Sequence, residues 1–215
     1  MPDFNPSDRS KIKRIPERGN YNRQVVYEIL DEALVCQVGF QVAGQPFIIP
    51  TNFARQEDCI ILHGAKASRM LKHIAAGHPV CVSVTILDGI IFARSVFEHS
   101  MRYRSVVAFG HGHLLETASE KIPALRQISE HICAGRWDDA RQPNSKELEA
   151  TSVAMISIED ASAKIQEGMP EDPASDLSLP YWVGVLPLKL QAQSPISAPN
   201  LDPKISVPEY LKNIK

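Results

Sequence analysis

The segment from Cys59 to His78, CIILHGAKASRMLKHIAAGH, gathers one serine, three Lys and Arg cations and three histidines where a strand gives way to a helix. Ile60, Ile61 and Leu62 read as a short apolar strand, His63 and Gly64 open a small-residue turn, and helical spacing begins near Ser68. The first turn of a helix carries backbone N–H groups without intrahelical partners, together with a partial positive charge. With Lys66, Arg69 and Lys72 beside Ser68, that turn suits a phosphate. The same residues equally fit an ordinary N-cap at Ser68, a solvated face at Arg69 and Lys72, and a hydrogen-bonded histidine at a strand end. Context has to separate these readings.

Other chemistry-bearing residues point less far. His111 and His113 alternate on an expected strand and so share a face, but no further ligands stand beside them, and no metal is expected. The four cysteines (Cys36, Cys59, Cys81, Cys133) are widely spaced and read as reduced core residues. Gly110-His111-Gly112 lacks the third glycine and the following helix of a dinucleotide fingerprint. Tyr103, at the start of a strand beside His99, either lines a pocket or packs.

The elements that must position the cradle fit one domain with appendages, which 215 residues allow. The 23 Lys and Arg against 25 Asp and Glu leave a net charge of -2, so a small molecule is expected as partner, and neither nucleic acid nor an anionic membrane. The stretch from Met1 to Arg18 lacks an apolar signal core, and no apolar run approaches the roughly 20 residues of a membrane span. A soluble cytoplasmic protein is expected.

Residues 1–18 read as a polar arm, residues 19–168 as the folded domain, and residues 169–215, rich in proline, as an extension lying over a surface. Val25, Val26, Ile29 and Leu30 predict a helix over Asn22–Glu32. Strands are expected over Ala33–Val42, Gln45–Ala54, Cys59–Leu62, Val80–Leu87, Ile90–Phe97, Val106–Glu116 and Thr151–Ile158, with Asp88-Gly89 as a tight hairpin turn. A helix over Ser119–Cys133 takes Ser119 as cap and Pro123 in its first turn. This order lacks the regular alternation of a doubly wound fold, and a mainly β, antiparallel barrel with peripheral helices fits it.

Four segments in order resemble one family: QPFIIPTNF (Gln45–Phe53), LHGAKASRMLKHI, SMRYRSVVAFGHG (Ser100–Gly112), and the pieces SAK (Ser162–Lys164) and PYWVGVLPL (Pro180–Leu188). They are similar to flavin-nucleotide-binding proteins of the pyridoxamine 5'-phosphate oxidase-like superfamily, nearest to the nitroimidazole-resistance branch. The resemblance implies an FMN-binding split β-barrel homodimer, with FMN in preference to FAD and each site built from both chains. It puts Ser68 and Arg69 at the flavin phosphate, with Lys66 and Lys72 near enough to assist and Met70 where the oxidases carry a lysine. It lays the strand Phe47–Thr51 along the flavin ring. Pro50 has no N–H to give there, so the amides of Ile49 and Thr51 are expected to donate. Ser105 takes the place of a polar flavin contact with Arg104 before it, Arg104 fitting a surface ion pair equally well. Trp182 matches an aromatic from the partner subunit, or an interface anchor without cofactor contact.

His63 falls where relatives carry a histidine beside the flavin, which implies cofactor contact first and proton transfer second. The segment after Trp182, VGVLPLKLQAQ, holds Lys189 as its only cation and no histidine. Pyridoxamine phosphate oxidation is therefore not expected. The resemblance implies instead a flavin-dependent oxidoreductase acting on a small molecule, such as a two-electron nitro reduction. The alternatives are a flavin carrier or sensor without turnover, and a split barrel that uses haem or deazaflavin.

Overall fold

Asn22 accepts the Val25 amide on its side chain, and helix α1 (Arg23–Glu32) follows, burying Val26, Tyr27, Ile29 and Leu30 on one face. The structure, a computed structural model, describes residues 3–212. Met1 and Pro2 of the arm and residues 213–215 of the extension lie outside the described residues. Strand β1 (Gly19–Asn20) precedes α1; β2 (Val35–Val42) and β3 (Gln45–Asn52) follow as a hairpin. Its two-residue turn sets Ala43 at φ 50° and Gly44 at φ 80°, the left-handed pair that matches the twist of a hairpin.

Next come β4 (Ala54–Gln56), β5 (Cys59–Ala65), α2 (Arg69–Ala75), β6 (Val80–Phe92), β7 (Ser100–Gly110) and β8 (Gly112–Leu115). The hairpin turn expected at Asp88-Gly89 is not there. β6 runs through these residues, with a register shift against β7 between Leu87 and Gly89, and the chain reverses only at residues 93–99. The dipeptide makes a bulge: the Asp88 carbonyl accepts the Leu188 amide at 3.0 Å. The missing side chain of Gly89 lets the Leu186 carbonyl approach, since a Cβ there would lie 3.0 Å from it. The expected strand Ile90–Phe97 accordingly ends at Phe92.

Helix α3 (Ala118–Ile132) is capped by Thr117, which exchanges bonds with Glu120 in a capping box, and not by Ser119. Pro123 consequently falls inside the helix and not in its first turn. Helix α4 (Ser145–Ala150), β9 (Thr151–Ser157), β10 (Asp160–Gln166), β11 (Gly184–Pro187) and α5 (Glu209–Lys212) complete the chain. Strand β10 was legible only as the SAK piece. Its inward residues Ala161 and Ala163 are too small to stand out as an apolar alternation.

The strands form two antiparallel sheets that do not close into one ring. One runs β1-β10-β7-β6-β2-β3, with β11 beside the distal part of β6, and the other runs β4-β5-β9-β8. Leu30, Val38, Phe53, Ile60, Leu62, Val82 and Ile156 fill the space between them, each worth about 1.5–3 kcal/mol on burial. Helix α2 buries Met70, Leu71 and Ile74 in that core. Helix α3 covers the other face of the smaller sheet with Ala124 and Ile128 against Ala54, Ile61 and Val153. The architecture is mainly β with few helices and fits a split barrel.

Although the arm reads as polar, it sends Phe4 into the core, edge-on to Tyr27 at 6.3 Å. Its Arg9 lies over Phe109 at 5.2 Å and pairs with Asp160 at 3.3 Å. Cys36 is buried, and burial pushes its thiol up to about 12, which keeps it inert. No helix among the described residues is long and apolar enough to cross a membrane.

Candidate functional site

Ser68 caps α2 by accepting the Leu71 amide at 3.4 Å, while its own amide donates to Ala65 at 2.9 Å. The amides of Arg69 and Met70 are thereby left as the first-turn donors that face outward. The Met70 side chain turns the other way and is 3% exposed, so a lysine's charge has no counterpart there. The guanidinium of Arg69 lies over the Phe47 ring, its central carbon 4.3 Å from the centroid. The aromatic face attracts the cation without taking up its N–H groups. Among the described residues, Arg69, Lys66 and Lys72 form no ion pair, and no acidic residue occurs between His63 and Pro79.

Phe47 is itself stacked on Phe40 at 5.6 Å, and the two face each other across β2 and β3. Its role as the platform for Arg69 escapes a sequence reading, because nothing in QPFIIPTNF says which helix the ring will meet. The hairpin geometry also corrects the donors expected on β3. A two-residue turn makes Val42 and Gln45 a hydrogen-bonded pair, and such pairs alternate along an antiparallel ladder. Phe47, Ile49 and Thr51 therefore spend their amides on β2. Pro46, Ile48, Pro50 and Asn52 face the open edge, and the two prolines have no N–H to offer. Ile48 and Asn52 are the free-edge donors, where Ile49 and Thr51 had been expected.

His63 pairs with Val153 across β5 and β9 and shares its face with Ile61, on the α3 side of the sheet. Leu62 faces the core on the other side, and a Cβ on Gly64 would lie 3.2 Å from Leu71 of α2. The imidazole is thus on the opposite strand face from α2. Its Nδ1 is buried without a hydrogen-bond partner, and burial pushes its pKa down, so the ring is neutral at neutral pH.

Arg104 is engaged elsewhere. Its guanidinium binds Asp88 at 2.7 Å and 2.9 Å and also bonds Glu32, at the end of α1. These carboxylates raise its pKa, and Arg104 in turn lowers that of Glu32. The ion pair weighed for this residue is present, and the guanidinium has no free edge for a cofactor of its own chain. Ser105 lies on the outer face of the larger sheet, opposite Thr85 and Lys164, with its hydroxyl donating to the Lys164 carbonyl at 3.3 Å. Pro50 is on that face too, but β6 and β2 lie between β7 and β3, three inter-strand steps or about 14 Å at a spacing of roughly 4.8 Å.

Trp182 is 69% exposed and lies 6.0 Å from Phe92, which meets His99 edge-on at 5.6 Å. Val96, Phe97, Met101 and Leu186 are exposed around it, making an apolar apron at the far end of the β6 and β7 pair. One chain therefore brings Ser68, Arg69, Lys72 and Phe47 together. It does not bring Ser105, Arg104 or Trp182 to them. His111 binds Glu159 at 2.8 Å in the turn between β7 and β8, and no group of three metal-ligating residues occurs among the described residues.

A family model described as pyridoxamine 5'-phosphate oxidase matches residues 22–165. No curated protein sequence matches the chain. Among solved structures, the flavocytochrome Anf3 from Azotobacter vinelandii is 34% identical with a TM-score of 0.92, covering 100% of this chain and 99% of its own. The FAD and heme binding protein from Mycobacterium smegmatis is 32% identical with a TM-score of 0.86, covering 91% and 96%. A putative 5-nitroimidazole antibiotic resistance protein from Bacteroides thetaiotaomicron is 21% identical with a TM-score of 0.59, covering 68% and 86%.

Proposed function

The chain belongs to the pyridoxamine 5'-phosphate oxidase family, and on that premise we propose that it is a flavin-binding electron-transfer protein whose flavin phosphate sits at Ser68 and Arg69. The observation that carries this reading is the unpaired cation set: Arg69 over the Phe47 ring, with Lys72 in the same carboxylate-free cleft and Lys66 on the other side of the turn. Left without an anion, three cations at a helix start repel one another and the dipole; a phosphate reverses the sign of that interaction. Arg104 is the contrast, because the chain supplies its counter-charges itself.

The flavin, when bound, supplies one- and two-electron redox chemistry. The chain's own residues bind and orient it: Arg69 and the first amides of α2 hold the phosphate, and Ile48 and Asn52 offer amide donors on the free edge of β3. The neutral imidazole of His63 has a buried Nδ1 without a hydrogen-bond partner among the described residues. It can hold or accept a proton there. The separation of Ser105 and Trp182 from the cradle supports a homodimer, in which these residues reach the partner's flavin. The residues after Trp182 form β11 against β6. With no histidine among them, they do not favour pyridoxamine phosphate oxidation.

Haem as a second prosthetic group takes precedence over a nitroreductase role, since the Azotobacter flavocytochrome and the Mycobacterium FAD and heme binding protein are each more than 30% identical to the chain, while the nitroimidazole-resistance likeness is one of fold. The chain fits a haem at the apolar apron. His99 has its Nε2 at 3.2 Å from the Ala93 carbonyl, which orients the ring and leaves Nδ1 as the nitrogen that could take the iron, and Phe92, Met101 and Trp182 offer an apolar wall. His99→Ala is expected to remove a Soret band and leave flavin absorption in place; a Soret band that survives places the ligand elsewhere. Titration tests the flavin site itself. Arg69→Ala is expected to weaken flavin binding tenfold to a hundredfold, from loss of a charge-assisted contact of about 1.5–3 kcal/mol, and an unchanged titration would return Arg69 to a solvated face.

A further inference from the structure

The cleft beside Arg69 and Lys72 belongs to the flavin site, but the chain holds another cavity, of about 580 Å3, on the other side of the turn that precedes α2. The start of α3, the α4 residues Leu148 and Glu149, and Ser152 of β9 line it together with Lys66. Two of its polar groups are buried: Lys121 is 9% exposed and Ser152 7%. The Lys121 ammonium has three N–H donors and gives two of them to the Leu148 and Thr151 carbonyls, at 3.4 Å and 3.1 Å. Its third has no acceptor among the described residues, and no carboxylate among them pairs with it. The Ser152 hydroxyl makes no hydrogen bond among the described residues either. The Ala118 amide, in the first turn of the 15-residue α3, has no intrahelical partner. An ammonium, a hydroxyl and an amide lining one cavity call for an anionic oxygen, since a buried charge set only against neutral carbonyls is costly.

The remaining charges on its walls include the opposite sign. Glu116 and Glu149 are exposed, and neither forms an ion pair among the described residues. With Lys66 and Lys121 they give the cavity two positive and two negative side chains, a formal net charge of zero. A phosphate dianion would meet two carboxylates there, and a diamine would meet two ammonium groups. A molecule with one charge of each sign satisfies both sets. Leu115 and Leu148 add an apolar wall, and the volume is within the range of small-molecule sites. Solvation is the ordinary state of exposed glutamates and accounts for Glu116 and Glu149 taken alone. It does not account for a buried ammonium and a buried hydroxyl with unused hydrogen-bonding capacity in the same cavity.

We propose that this cavity binds a small zwitterion, an apolar α-amino acid, with its carboxylate on Lys121, Ser152 and the Ala118 amide and its ammonium on Glu116 and Glu149. The site is separate from the flavin cradle and does not rest on the flavin reading. Full-length protein as purified is titrated calorimetrically with L-leucine, with isocaproate, which lacks the ammonium, with isoamylamine, which lacks the carboxylate, and with inorganic phosphate. L-leucine is expected to bind at least tenfold tighter than any of the others, and Ser152→Ala and Lys121→Met each to weaken it at least tenfold. Glu149→Gln is expected to narrow the gap between L-leucine and isocaproate, and binding is expected to persist in the presence of FAD. Absence of saturable L-leucine binding at millimolar concentration would overturn the proposal. So would isocaproate or phosphate binding as tightly as L-leucine, which would leave a plain anion site, or a gap that Glu149→Gln does not change. Affinity unmoved by Ser152→Ala would place the amino acid elsewhere, and mutual displacement of L-leucine and FAD would give the cavity to the flavin; either result overturns it. Should Lys121→Met not fold, Ser152→Ala and the comparison of the four compounds in the unaltered protein decide.

Discussion

Arg69 and Arg104 carry the same charge and face opposite circumstances. Arg104 is held by Asp88 and Glu32, so its removal leaves two carboxylates facing each other. Arg104→Ala is expected to lower stability by about 1–2 kcal/mol, the worth of a partly exposed charge-assisted network, measured by urea denaturation. A stability change near zero with a large loss of flavin affinity would reverse that assignment. His63 gives a pH signature. Burial lowers its folded pKa below the ordinary value of about 6.5, so on acidification the unfolded chain takes the proton first. Its contribution to stability is complete above about pH 6.5 and declines below it, toward the depressed folded value. Melting temperatures from about pH 7 to about pH 5 should therefore fall more steeply in the wild type than in His63→Leu, and equal slopes would show that the ring titrates freely. Both residues could be named from the sequence. Neither the two carboxylates around Arg104 nor the strand face of His63 could, because each depends on elements far apart in the chain.

At the scale of elements, Gly110 marks the crossing from the larger sheet into the smaller one. A Cβ built there would lie 1.8 Å from the Ser157 carbonyl, which is backbone and has no room to swing aside. Gly110→Ala is expected to cost on the order of 3 kcal/mol, read as a lowered denaturation midpoint, and a neutral substitution would show that the crossing is loose. Helix α1, the strands β2, β3 and β5, and the cap at Ser68 were all legible, since each has a strong local period or a capping side chain. Asp88-Gly89 misled because the signature of a tight turn also suits a bulge, and the difference lies in β11, a hundred residues further along the chain. Thr117 with Glu120 was a readable capping box passed over for Ser119, two residues on. The donors of β3 needed the hairpin register, which the positive φ angles at Ala43 and Gly44 fix.

For the whole molecule, the decisive fact is distance. The cradle at α2 and the outward residues Ser105 and Trp182 belong to separate regions of one chain, which favours a flavin shared between two copies. The apolar apron around Trp182 calls for a cover, and a haem or a second chain would each provide one. Family resemblance could name the flavin site from its motifs, but not the proposed place for a haem, since Val96, Phe97 and Met101 form no motif and Leu186 joins their end of the sheet only when β11 docks on β6. The most direct test is the absorption spectrum of the purified full-length protein before and after addition of FAD. The account predicts flavin bands, with a Soret band superposed on them when haem is present. A colourless protein that takes up neither FAD nor FMN at micromolar concentration would contradict it.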